Sequence, residues 1–218
     1  VYRVHSALSG RVAAALKVMK PSGEANERTL FVREAEALSA LRHPAIVHVM
    51  GFSEDTPGGL LCLVMELAEG ETLRQRLAHG AMSLSEALST FVPLASALDH
   101  AHDHGIFHRD LKPANVILCA DGPRLVDFGI AALAREPALD GEVQMGTLAY
   151  LPPEAFHGGP GGPAAMDVYA FGLLLYEALT GSRGFAARPG LAVDEAAQDI
   201  AERKRRQGPF DPGERFPH

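Results

Sequence analysis

Apolar and polar positions change their rhythm several times along this chain, and each change marks an element. Val1 to Leu8 and Arg11 to Met19 read as two strands, joined at the turn dipeptide Ser9-Gly10. From about Glu24 to Leu41 the spacing becomes helical, with Phe31, Glu34, Leu38 and Leu41 sharing one face. Glu34 interrupts that apolar stripe, and a carboxylate so placed needs a cation. The nearest candidate is Lys17, the one charge inside the second strand. His43-Pro44 ends the helix, because the residue before a proline avoids helical geometry. A second strand pair covers Ile46 to Ser53 and Leu60 to Leu67, split by the turn-rich Thr56-Pro57-Gly58-Gly59.

Beyond this point the pattern is mainly helical. Ser83-Leu84-Ser85-Glu86 reads as a capping box opening a helix to about His104, with Leu84, Leu88, Phe91, Ala95 and Leu98 along its apolar face. Pro93 falls inside that helix and predicts a kink, and Gly105 ends it. After the glycine-rich stretch 158–163, the run Leu173 to Leu179 is apolar nearly all round, which predicts a buried central helix. A last helix is predicted over Val193 to Arg206, followed by a Pro- and Gly-rich tail.

Composition narrows the classes of function. With 218 residues, 47% of them hydrophobic, the chain has material for one sizeable core or two small lobes. Its 20 basic and 27 acidic residues give a net charge of -7, which argues against nucleic acid or an anionic membrane as the main partner. The local basic run Arg203-Lys204-Arg205-Arg206 reads as a solvated last helical turn complementing the helix dipole. Cys62 and Cys119 sit in apolar strand-like runs, as buried free thiols of a reducing compartment do. There is no signal peptide and no apolar run long enough to cross a bilayer, so a cytoplasmic location is expected.

The chemistry concentrates between residues 105 and 118. Arg109, Asp110, Lys112 and Asn115 are packed between two apolar runs, an arrangement that costs desolvation energy unless something charged binds there. Twelve residues after Asn115 comes Asp127-Phe128-Gly129, preceded by the strand-like Arg124-Leu125-Val126. Two acids and an amide in mutual reach point to a divalent cation held by oxygen ligands. His100 and His104 stand at i and i+4, but with no third ligand in the pattern they read as helix-surface histidines.

The stretch His108-Arg109-Asp110-Leu111 with Asn115, the triplet Asp127-Phe128-Gly129 and the pair Pro153-Glu154 resemble the signature set of the protein kinase family. The resemblance implies an α+β, two-lobe fold. Residues 1–66 would form part of a small antiparallel β lobe with one helix that binds ATP. Residues 67–70 would be the hinge, and 71–218 part of a mainly helical catalytic and substrate lobe. It further implies Asp110 as the base that orients and deprotonates a protein Ser/Thr hydroxyl, and Lys112 against the γ-phosphate. Asn115 and Asp127 would hold Mg²⁺, and Thr147 would lie beside Asp110 and Lys112. Lys17 would meet the ATP α- and β-phosphates, held by Glu34. Met65 would be the gatekeeper and the backbone of Glu66 and Ala68 would meet the adenine, with Val1, Ala15 and Ile117 also lining the nucleotide. Asp167 resembles the family acid that receives backbone N–H groups of the catalytic loop. Asp110-Leu111-Lys112-Pro113 and Thr147 match the serine/threonine branch.

Some features depart from the family pattern. Between Phe128 and Gly146 there is no Ser, Thr or Tyr to accept an activating phosphate, which leaves two readings of equal weight: Asp140 or Glu142 as the substitute anion for Arg109, or a loosely ordered loop. The glycine-rich loop would precede Val1-Tyr2, and the last helices, with the arginine that pairs with Glu154, would follow residue 218. A catalytic domain truncated at both ends is therefore expected. Two alternatives carry their own discriminators. An impaired fragment or pseudokinase-like binding module would be signalled by loss of Lys17, Asp110 or Asp127, all of which are present. A small-molecule phosphotransferase of related fold is opposed by Lys112, Phe128-Gly129 and Pro153-Glu154.

Overall fold

The computed structural model describes residues 1–5, 13–19, 27–55, 59–128, 145–156 and 161–207. The expected Ser9-Gly10 turn and the anions Asp140 and Glu142 lie outside the described residues. Strands β1 (Tyr2–His5), β2 (Ala13–Met19), β3 (Val49–Asp55) and β4 (Leu60–Glu66) form one antiparallel sheet in the order β1-β2-β4-β3. Alternation decides its faces: Leu61, Leu63 and Met65 are buried while the residues between them are only partly so. Helix α1 (Glu27–Ala40) packs on the buried face through Phe31, Ala35 and Leu38, and the Phe31 ring meets Phe52 edge-on at 6.2 Å.

A short second sheet follows, built from β5 (Gly70–Thr72), β6 (Val116–Cys119) and β7 (Gly122–Leu125). Leu125 is fully buried, and Leu125 N–H donates to Ala45 O (2.8 Å) while Val47 N–H donates to Leu125 O (3.0 Å). These bonds fasten the end of β7 to the segment after α1, so the acid two residues on is held between the two sheets. Gly70 is required by close approach: a Cβ there would stand 2.1 Å from the carbonyl oxygen of Leu118. Gly70→Ala is therefore expected to push β5 off β6 and cost about 1–3 kcal/mol. The check is a lower urea midpoint at unchanged m-value.

The helical part comprises α2 (Leu73–Leu77), α3 (Leu84–Asp103), α4 (Met145–Leu148), α5 (Pro163–Thr180) and α6 (Val193–Gln207). Thr72 and Gln75 make a complete capping box at α2. At α3 only half of the expected box forms. Ser83 accepts from Glu86 N–H (3.2 Å), while the Glu86 carboxylate instead takes a two-pronged bond from Arg76 at 2.6 and 2.8 Å. Pro93 lies inside α3 without ending it, and the chain leaves at Gly105 with φ 70°.

The apolar face expected for α3 is corrected by the packing. Leu84 and Leu88 are 66% and 53% exposed, and the buried face is Ala87, Thr90, Phe91, Leu94, Ala97, Leu98 and Ala101. Phe91 and Leu98 belong to both stripes, while Ala95 of the expected one is also exposed; the buried face instead carries Ala87, Ala97 and Ala101, small residues that let neighbouring elements approach closely, and Phe91 meets Phe171 of α5 edge-on at 5.5 Å. Helix α5 is buried through Asp167, Ala170, Leu173, Leu174, Glu177 and Ala178, as its all-round apolar character predicts. No described helix is long and apolar enough to cross a membrane.

Candidate active site

Local sequence explains why the catalytic-loop residues converge. The loop between α3 and β6 bonds to itself at Asp110 N–H to His108 O (2.8 Å) and Asn115 N–H to Lys112 O (2.9 Å), which leaves the N–H groups of His108 and Arg109 to be satisfied from outside. Asp167, 1% exposed near the start of α5, does this. Its Oδ2 accepts from His108 N–H (2.8 Å) and the His102 ring (2.9 Å), and its Oδ1 accepts from Arg109 N–H (2.8 Å). Arg109 is thereby held at φ 60°, a left-handed conformation that costs a side-chain-bearing residue energy. Asp127 adopts the same region at φ 59°. His108 is fully buried; its Nε2–H donates to Val126 O (3.0 Å), and Nδ1 has no partner among the described residues. Burial pushes this imidazole's pKa down, so it stays neutral, and its ring packs 4.7 Å from Phe128.

Asp110 is the centre of the resulting cluster. Its Oδ2 pairs with Lys112 Nζ at 2.7 Å and its Oδ1 accepts from Thr147 Oγ1 at 3.4 Å, while Lys112 Nζ also donates to Thr147 Oγ1 at 3.1 Å. Asn115 Nδ2 donates to the Asp110 carbonyl (2.8 Å) and to its Oδ2 (3.2 Å). With Nδ2 committed to Asp110, the amide oxygen of Asn115 is the atom of this side chain that could serve a cation. Lys17, Met65, Asp127 and Phe128 line one narrow cavity with Val49 and Leu38. The donor set of Asn115 and Asp127 is all oxygen, which suits Mg²⁺. The described residues hold no cluster of three or more His, Cys, Asp or Glu arranged for a metal.

The ion pair expected between Lys17 and Glu34 is not made. Lys17 Nζ binds Asp127 Oδ1 at 2.9 Å, and Glu34 Oε2 is buried without a partner among the described residues. Glu34 lies in the fields of Arg109 first and Lys17 second, but its desolvation outweighs both and pushes its pKa up to about 7. The sign of the consequence follows. Between the ordinary 4.5 and about 7 the folded chain binds more protons at Glu34 than the unfolded chain does, so stability falls as pH rises across that window. Glu34→Gln is expected to flatten this fall, measured as the melting midpoint from pH 4.5 to 8.

The remaining predicted site residues lie along β2, the β4 end and β6. Ala15 pairs with Met65 in register, Met65 is buried, and Ile117 on β6 is partly exposed. Glu66 N–H donates to His48 O at 2.9 Å, so any adenine contact from Glu66 falls to its carbonyl. Val1, at the chain end beside β1, is 73% exposed. The His100 and His104 rings lie 4.6 Å apart, tilted at 50°, and His104 Nδ1–H donates to His100 O.

Three residues of this region escaped the sequence reading. His102 grips Asp167; its signal is a position four residues after buried Leu98, on the inward face of α3. Tyr150 donates from its hydroxyl to Glu177 Oε2, and Glu177 Oε1 also accepts from Arg183 at 3.3 Å. Lys204 was expected in a solvated turn but is 4% exposed, whereas Arg205 and Arg206 do face solvent. It follows Ala196, Ala197, Ile200 and Ala201 along one buried helical stripe of α6.

A small antiparallel sheet carrying one helix, joined to a mainly helical part in which Asp110, Lys112, Asn115 and Thr147 meet, defines an α+β protein-kinase-like fold. The family model described as protein kinase domain matches residues 1–211, and the chain belongs to the protein kinase family. It is similar to bacterial relatives. One is the serine/threonine-protein kinase PkaA of Streptomyces coelicolor, 40% identical over 200 residues, covering 88% of this chain and 36% of the relative. Another is the serine/threonine-protein kinase pkn2 of Myxococcus xanthus, 42% identical over 163 residues, covering 71% and 19%. A third is the serine/threonine-protein kinase PknA of Mycobacterium tuberculosis, 37% identical over 198 residues, covering 87% and 45%. The chain thus spans between 19% and 45% of the length of these relatives.

Proposed function

We propose that this chain is the catalytic part of a serine/threonine protein kinase that moves the γ-phosphate of ATP to Ser/Thr hydroxyls of proteins. The observation that carries this is the four-residue contact of Asp110, Lys112, Asn115 and Thr147. Residues 1–66 and 71–218 form the two lobes in this reading, with 67–70 as hinge and nucleotide between them, along Ala15, Met65, Ala68 and Ile117. Asp110 orients the incoming hydroxyl and accepts its proton. Lys112 and Thr147 fix the Asp110 carboxylate, and Lys112 presents a positive charge to the transferring phosphate. Lys17 meets the other phosphates, exchanging Asp127 for them, and Glu34 becomes its partner. Asn115 and Asp127 would hold Mg²⁺, which would neutralise charge on the phosphate oxygens.

The location proposed is cytoplasmic, where ATP is supplied and the free thiols Cys62 and Cys119 stay reduced. Net charge -7 supports a protein partner over nucleic acid. The test is transfer of labelled phosphate from Mg-ATP to a generic protein substrate, followed by identification of the labelled amino acid. Label on Ser and Thr, lost in Asp110→Asn, is expected. Nucleotide binding without transfer in the unmodified chain would replace this reading with an impaired or binding-only module.

A further inference from the structure

Helix α6 carries a charge where its packing asks for an apolar residue. Lys204 Nζ donates to the carbonyls of Leu148 (3.4 Å), Ala149 (2.8 Å) and Leu151. It also lies 5.1, 5.2 and 5.9 Å from the ring centroids of Phe185, Tyr169 and Phe156. A methionine would fill this aromatic box with no charge to desolvate. What the ammonium adds is three donors, and three carbonyls receive them. Burial, with the Arg203 charge beside it, pushes Lys204 down to about 7, and Glu154 acts in the opposite sense.

The carbonyls it holds belong to the turn immediately after Thr147. From the other side, the Tyr150 hydroxyl is bound to Glu177 of α5. The segment 148–151 is therefore gripped by two helices, and its first neighbour is the residue whose Oγ1 touches Lys112 and Asp110. We propose that Lys204 is a positioning residue for phosphoryl transfer, which anchors the carbonyls of residues 148, 149 and 151 and so keeps Thr147 against Asp110 and Lys112. The effect on transfer rests on the kinase reading above; the anchoring does not.

The test has two independent arms, applied to the 218-residue protein and to Lys204→Met, which keeps the stem and removes the charge. Hydrogen exchange should show protection of residues 147–151 falling about 10-fold or more, with α3 and β4 unchanged. In the transfer assay kcat should fall by roughly 10–100-fold at constant KM for ATP, the scale of a misplaced catalytic group. In a Thr147→Ala background the same substitution should cost less than about 3-fold, because the two act through one contact. Lys204→Arg, which retains a cation, should keep most of the protection. Unchanged exchange at 147–151 would overturn the proposal, as would loss of protection spread equally over α3 and β4, full additivity with Thr147→Ala, or equal losses in the Arg and Met variants. A protein that transfers no phosphate at all would fail the kinase reading, and the exchange arm would still decide the role of Lys204.

Discussion

Asp110→Asn is expected to lower the turnover of phosphoryl transfer by about 10²–10⁴, the range a positioned acid–base group supplies. This corresponds to roughly 3–5 kcal/mol of transition-state stabilisation. Asparagine has the shape of aspartate but cannot take a proton from the substrate hydroxyl. It also removes the charge that pairs with Lys112 at 2.7 Å. The bond from Asn115 Nδ2 to the Asp110 backbone carbonyl (2.8 Å) does not depend on that carboxylate, so the loop should keep its path. Single-turnover kinetics beside nucleotide titration separates the effects: kcat falls while nucleotide affinity holds. An equal loss of nucleotide affinity would mean that the substitution had collapsed the loop.

Asp167→Ala should give the largest loss of stability, about 3–5 kcal/mol, as expected when one member of a buried charged network is removed. Its carboxylate, 1% exposed, satisfies two backbone N–H groups and the His102 ring. Without it those donors are left dry, each at a cost of about 1–3 kcal/mol. Arg109 also loses the bond that offsets its φ of 60°. Asp167→Asn should lie between, since one acceptor oxygen remains. Urea unfolding at constant m-value is the measurement, and a shift below about 1 kcal/mol would show that water replaces the carboxylate freely.

Much of the fold is legible because hydrophobic rhythm reports burial directly. Apolar strand runs bounded by turn residues, a helix with Phe31 and Leu38 on one side, and a helix apolar nearly all round each appear near their predicted place. Where two apolar stripes compete on one helix, rhythm is silent. On α3 the leucines at 84 and 88 outweigh the alanines at 87, 97 and 101 on any hydrophobicity scale, yet close approach of neighbouring elements selects the alanines. The pairing of β5 with β6 and the bonds from Leu125 to the segment after α1 were equally beyond rhythm, since they join residues far apart in sequence.

By itself the sequence determined the local chemistry: an acid, a lysine and an amide within six positions, a second acid twelve positions on, and a carboxylate placed inside an apolar helix face. These are short-range facts, governed by side-chain type and the period of one element. The tertiary structure alone decided which charges meet. It gave Lys17 to Asp127 and left Glu34 Oε2 without a partner among the described residues, put His102 on Asp167, and buried Lys204 beneath the turn that follows Thr147. Pairing of charges depends on distances of a few ångströms between elements and on the water excluded there, and no one-dimensional pattern carries either quantity.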